Sequence, residues 1–136
     1  MTTTPTIWKA QQQAHFLDAG DQQDPAVVKL GNNRFIMVWT ESADGPVATA
    51  PGTDLVGQIF TFEGHPEGPP FRVNSAINSG DDEGNAAIAS LPDGGFIVVY
   101  EDQNASGTSI RADTYHINGA HNRSFTVQED TNNDVL

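Results

Sequence analysis

The chain contains no cysteine. Disulfides, thiolate catalysis and cysteine-ligated zinc are therefore excluded. Basic residues are scarce: 6 Lys and Arg stand against 18 Asp and Glu, a formal net charge of −12. A chain this acidic repels phosphate, so nucleic acid is not expected as a partner, and an anionic membrane surface is disfavoured for the same reason. No apolar run approaches the roughly 18 residues that span a bilayer, so membrane insertion is not expected. The opening MTTTPTIWKAQQQ has no apolar core and does not read as a cleavable signal peptide. Also missing are G-x-S-x-G, a Walker loop and H-E-x-x-H. With none of these the chain reads as non-catalytic, and a propeller-type hydrolase is the remaining enzymatic alternative.

What is present is punctuation. There are 13 Gly and 8 Pro in 136 residues, with many Asn and Asp. Such residues end helices and make turns, which suits many short strands. The strands repeat. GDQQDPAVVKLGNNRFIMVWTE (20–41) lies over GDDEGNAAIASLPDGGFIVVYED (80–102), matching Leu30 to Leu91, Phe35 to Phe96, Trp39 to Tyr100 and Glu41 to Asp102. Further on, Leu55 lies over Ile110, Phe60 over Tyr115, Gly64 over Gly119, and FRVN (71–74) over FTVQ (125–128). The two copies differ in length at 42–54, a Gly/Pro/Ala-rich stretch, as expected of a loop between matched strands.

The chain thus divides into an N-terminal segment (1–14), a first repeat (15–74), a second repeat (71–128) and a tail or start of a further repeat (129–136). Strands are expected at 26–30, 34–40 and 55–62 in the first copy. In the second they are expected at 71–74, 86–91, 95–101 and 110–117. Leu91-Pro92-Asp93-Gly94-Gly95 and Gly31-Asn32-Asn33 read as tight hairpins, because Gly and Asn accept the left-handed backbone such turns need. Phe35–Trp39 and Phe96–Tyr100 are apolar at every position, the pattern of a strand covered on both faces. The fold class is therefore all-β: two tandem four-stranded antiparallel repeats resembling β-propeller blades, with a β-sandwich as the alternative. Two blades cannot close a ring, so a homo-oligomer or a longer repeat array is expected.

The residues Gly20-Asp21-Gln22 with Pro25, and Leu91-Pro92-Asp93-Gly94-Gly95-Phe96 followed by an I-x-A-x-x-Y strand, resemble repeats of very large secreted bacterial proteins of the RTX-like, hemolysin-type calcium-binding and adhesin class. The resemblance spans roughly residues 15–128. It implies an extracellular adhesion module exported by a type I-like route without a cleaved signal peptide. The nonapeptide calcium repeat of that class, G-G-x-G-x-D, is absent here.

Two groups of residues are candidates for binding. Asp21, Asp24, Asp81, Asp82 and Glu83 cluster before the second strand of each copy, and could hold Ca2+, a hard ion that takes oxygen ligands. The alternative is that these carboxylates cap turns through nearby backbone amides. Trp8, Trp39 and Tyr100 could stack on the apolar face of a sugar, with core packing as the alternative for the matched pair Trp39 and Tyr100. His116 and His121 with Asp113 form a weaker metal alternative. The functional expectation is a carbohydrate-binding adhesion module with a glycan or cell-surface polysaccharide as partner. The competing expectation is a structural or self-assembling scaffold.

Overall fold

The computed structural model describes residues 11, 13, 19–42, 52–74 and 81–127. They form eight strands and no helix. In chain order these are β1 (Gln22–Leu30), β2 (Arg34–Ser42), β3 (Thr53–Thr61), β4 (Phe71–Arg72), β5 (Asp82–Ser90), β6 (Phe96–Asn104), β7 (Gly107–Tyr115) and β8 (His121–Val127). Two four-stranded antiparallel sheets result, in the orders β1-β2-β3-β4 and β5-β6-β7-β8. Within each sheet the strands pair in chain order, with tight turns at β1–β2, β5–β6 and β6–β7.

Local chemistry sets those turns. Asn32 and Asn33 both hold positive φ between β1 and β2, as their short polar side chains permit. Between β5 and β6 the Leu91 amide donates to the Gly95 carbonyl and the Gly94 amide to that of Leu91. The Asp93 carboxylate accepts the Gly95 amide. The same device recurs at Asn118, whose side chain accepts the Ala120 amide before β8.

The strand register confirms the repeat and refines it. β1 carries a β-bulge between Gln23 and Ala26, and β5 carries one between Gly84 and Ala87. In each the first inserted residue, Asp24 or Asn85, has a φ of 52°. The residue opposite the first bulge is Trp39 and opposite the second is Tyr100. Phe35 pairs with Phe60 just as Phe96 pairs with Tyr115. Gly57 pairs with Phe71 as Ala112 pairs with Phe125. This last match corrects the strand assignment: Phe71–Arg72 pairs with β3 and closes the first sheet, instead of opening the second. The bulges also lengthen β1 and β5 at their starts relative to the stretches expected from hydrophobicity, because the polar residues before them still pair.

Alternation gives each sheet two faces. The front of sheet 1 carries Phe35, Met37, Trp39 and Glu41 with their partners Phe60, Gln58, Val56 and Asp54. Its back carries Ile36, Val38 and Thr40 with Ile59, Gly57 and Leu55. The matching front of sheet 2 carries Phe96, Val98, Tyr100 and Asp102, and its back carries Ile97, Val99 and Glu101. The shared core consists of Leu30, Ile36, Val38, Leu55, Ile59 and Val73 against Phe96, Val98, Tyr100 and Tyr115. The back of sheet 1 therefore meets the front of sheet 2. Burying each such side chain contributes about 1.5–3 kcal/mol, so this contact holds the two sheets together. β2 is buried along its back and at Trp39 and Glu41 on its front, while Phe35 and Met37 are half-buried. β6 is buried only on its front: Phe96, Val98, Tyr100 and Asp102 are enclosed while Ile97 and Val99 stay half-exposed.

Candidate functional site

The acids expected to hold Ca2+ in each copy, Asp21 and Asp24 in the first and Asp81, Asp82 and Glu83 in the second, take different positions in the fold. Asp21 sits at the sheet edge, where its amide donates to Ser42 Oγ at 2.9 Å and its carbonyl accepts the Ser42 amide at 3.0 Å. Asp82 uses Oδ1 to accept the Thr53 amide at 3.1 Å. The Asp81 carbonyl lies against Gly52, where an added Cβ would stand 2.4 Å away. Asp24, Asp82 and Glu83 line one cleft of about 160 Å³ between the two bulges, with Thr40, Asn85 and Glu101 on its wall. Asp21 and Asp81 do not line it. Among the described residues no three His, Asp or Glu side chains are arranged to hold a metal ion.

Glu83 behaves differently from its neighbours because it is enclosed. It pairs across the strands with Asp102, and both are buried. Burial, then the charges of Asp54, Asp102 and Asp81, push its pKa from 4.5 up to about 8, opposed by Arg72. The Asp102 carboxylate takes the Arg111 Nε–H on Oδ2, while its Oδ1 is buried with no hydrogen-bond partner. Asp54 lies 3.8 Å from Arg72 and accepts the Asn74 amide at 2.8 Å. Asn74 in turn accepts the Leu55 amide at 2.9 Å. These groups form a polar seam at one end of the contact between the sheets, with two arginines offsetting the carboxylates.

Trp39 and Tyr100 are buried, with 5% and 3% of their surface exposed. Neither offers a ring face to solvent, so both pack inside the layers. Trp8 lies outside the described residues. Tyr100 donates its hydroxyl to Asp113 Oδ2 at 2.8 Å. Burial and that hydrogen bond hold the phenol protonated, with its pKa raised. Asp113 is fully enclosed, and its Oδ1 also accepts from Ser124 Oγ. His121 Nε2 lies 3.2 Å from Asp113 Oδ1 and 2.9 Å from Ser124 Oγ. A serine, a histidine and an aspartate thus meet, but through a single ring nitrogen. A nucleophilic relay needs the acid on one imidazole nitrogen and the hydroxyl on the other. The trio satisfies a buried carboxylate and does not form such a relay. His116 does not join it; its backbone closes the turn before β8.

A different feature lies at the opposite end of β1. A groove of about 450 Å³ is lined by Asn32, Asn33, Arg34, Thr61, Phe62, Glu63 and Glu67. That volume falls within the usual range for a small-molecule site. Phe62 is 62% exposed, the sole aromatic among the exposed large apolar residues described. Its amide donates to the Asn33 carbonyl at 2.6 Å, which ties the two turns together. Arg34 is anchored beneath by Nη2 donating to the Ile117 carbonyl at 2.5 Å and by Nη1 lying 3.5 Å from Glu67.

Phe62 did not stand out in the sequence because it follows Phe60 at strand spacing and reads as a continuation of β3. In the fold β3 ends at Thr61, and the turn through Gly64, with φ of 83°, leaves Phe62 outside the sheet. The signal that would have found it is the repeat itself. The matching position in the second copy is Ile117, whose Cδ1 tucks against Gly31 and Gly94. Comparison of the chain with protein-family models, curated proteins and solved structures finds no match.

Proposed function

We propose that this chain is a non-catalytic, extracellular binding module of a secreted bacterial adhesin of the RTX-like class, recognising a glycan in the groove around Phe62. The observation that carries the reading is the exposed Phe62 ring set among the amides of Asn32 and Asn33 and the carboxylates of Glu63 and Glu67. An aromatic face stacks on the apolar C–H face of a sugar, and side-chain amides and carboxylates hydrogen-bond its hydroxyls. Arg34, held from below, supplies a further donor. The non-catalytic part is supported by the enclosed position of Glu83 and by the single-nitrogen geometry at His121. The back-to-front stacking of the sheets supports reading them as successive blades, since a two-fold sandwich would bring the same face of each copy together.

The test is a glycan array with the full chain, followed by polysaccharide pull-down with Phe62→Ala. Binding by the unaltered chain and a loss of at least about tenfold in the variant are expected, in line with the 1.4 kcal/mol that corresponds to one decade. Uniform absence of binding by the unaltered chain overturns the glycan reading. No three acids among the described residues are arranged to hold an ion, so the calcium expectation is put to a direct test. The array is therefore run with calcium and with EDTA, and equal binding in both removes calcium from the proposal.

A further inference from the structure

The two sheets carry matched faces, and among the described residues the back of sheet 1 is covered while that of sheet 2 is largely open. The back of sheet 1 presents Ala26, Val28, Ile36, Val38, Leu55 and Gly57, and sheet 2 covers it: Ile36, Val38 and Leu55 have no exposed surface. The equivalent residues on the back of sheet 2 are Ala87, Ala89, Ile97, Val99, Ile110 and Ala112. All are apolar or small. Ala87 and Ala89 are exposed, Ile97 and Val99 are half-buried, and Ile110 is 39% exposed. Ala112, at the centre, is enclosed. A face built like a core layer and left largely open marks an interaction surface.

The fold itself shows what such a face accepts. In sheet 1 the occupant is the front of the following sheet, with Phe96, Val98, Tyr100 and Asp102 along its central strand and Tyr115 beside it. We infer that the back of sheet 2 docks the front of a further four-stranded sheet of this same repeat, whose central strand reads aromatic, aliphatic, aromatic, acidic at alternate positions. A second copy of this chain does not supply it. Among the described residues the other front face is that of sheet 1, where Trp39, Glu41, Val56 and Phe60 are already buried and Phe35 and Met37 are half-buried. The surface is separate from the groove at Phe62 and does not depend on the glycan reading.

The absence of cysteine makes a clean test. Ala89→Cys is placed in the full chain and in an extended chain that repeats residues 74–127 after Val127, and maleimide labelling rates are compared. Ala105→Cys, in the exposed β6–β7 turn, is the control. Labelling at Ala89→Cys is expected to slow at least about tenfold in the extended chain, with the control unchanged. Equal rates in the two chains overturn the inference. So does a dimer of the unextended chain, seen by light scattering, in which Ala89→Cys is shielded, because the face would then belong to a second copy. A second comparison needs no extension. Ile97→Thr with Val99→Thr is expected to lower the unfolding midpoint of the full chain by less than a third of the loss from Ile36→Thr with Val38→Thr. Equal losses show that the back of sheet 2 is covered within the chain and overturn the inference.

Discussion

Tyr115 stacks on Phe96 with ring centroids 4.8 Å apart and planes 8° from parallel. Phe60 stacks on Phe35 in the first sheet at 5.2 Å and 13°. The matched pairs occupy the same register, on the front of each sheet. In the second sheet the stack also bridges the layers, because the Tyr115 hydroxyl donates to the Val73 carbonyl beside β4. Phe96 has no exposed surface. Phe96→Ala is expected to cost about 3–5 kcal/mol. Tyr115→Phe keeps the ring and loses one bond, so about 0.5–1.5 kcal/mol is expected. Urea unfolding of both variants checks the ordering; a larger loss for Tyr115→Phe would contradict it.

Stability should fall as pH rises through neutrality. Glu83 binds its proton more tightly in the fold, with a pKa of about 8 against 4.5. Its contribution is therefore fully present below about pH 4.5 and lost as pH climbs through about 8. Removing the charge reverses the loss. Glu83→Gln is expected to raise the unfolding midpoint at pH 8.5 and to give no gain at pH 4. The first sheet already places an amide, Gln22, at the matching position. Thermal scans of both proteins across this range provide the measurement, and parallel curves would rule the mechanism out.

Gly94 and Gly95 serve the β5–β6 hairpin for different reasons. Gly94 holds φ of 88°. Gly95 needs space: a Cβ there would stand 2.1 Å from the Tyr115 carbonyl oxygen, a rigid backbone atom. Gly95→Ala must displace β6 from β7 and is expected to cost about 2–4 kcal/mol, at the severe end for single substitutions. Gly68, also at positive φ, has nothing within 4 Å of its Cβ position. Gly68→Ala should cost only about 1 kcal/mol, from backbone strain alone. Chemical denaturation of the pair separates crowding from strain.

Asp113 accepts from Tyr100 and Ser124 and contacts His121 while fully enclosed. Asp113→Leu leaves the buried Tyr100 hydroxyl without its acceptor. A loss of about 2–3 kcal/mol is expected, since an unsatisfied buried polar group costs about 1–3 kcal/mol. Tyr100→Phe in the same background removes the orphan and should recover part of the loss, which a double-mutant cycle would reveal.

Phe62→Ala is expected to leave stability within about 0.5 kcal/mol, because a residue this exposed makes little packing. A folded, equally stable variant is what allows its loss of glycan binding to be read as loss of a contact.

The repeat was legible because packing demands the same side chains at the same places. Phe35 and Phe96, Phe60 and Tyr115, Trp39 and Tyr100 can be matched by eye, and each pair proves equivalent in register. The hairpins were legible because Asn and Gly are the residues that most readily take the left-handed backbone found at Asn32, Asn33 and Gly94. The candidate groove was not, since nothing in a strand-like run marks where the strand stops and Phe62 leaves it. Nor was the division of the acidic cluster, because Glu83 and Asp82 are adjacent in sequence but point to opposite sides of β5, one enclosed and one exposed.

By itself the sequence determined an all-β chain of two matched units, because turn chemistry and alternation are local properties. Only the tertiary structure decided that Phe71–Arg72 belongs to the first sheet, that the back of one unit meets the front of the next, and that the matching back of the second unit is left largely open. Those are choices among surfaces that look alike in one dimension. They are settled by which faces can exclude water together, and that depends on contacts between residues far apart in the chain.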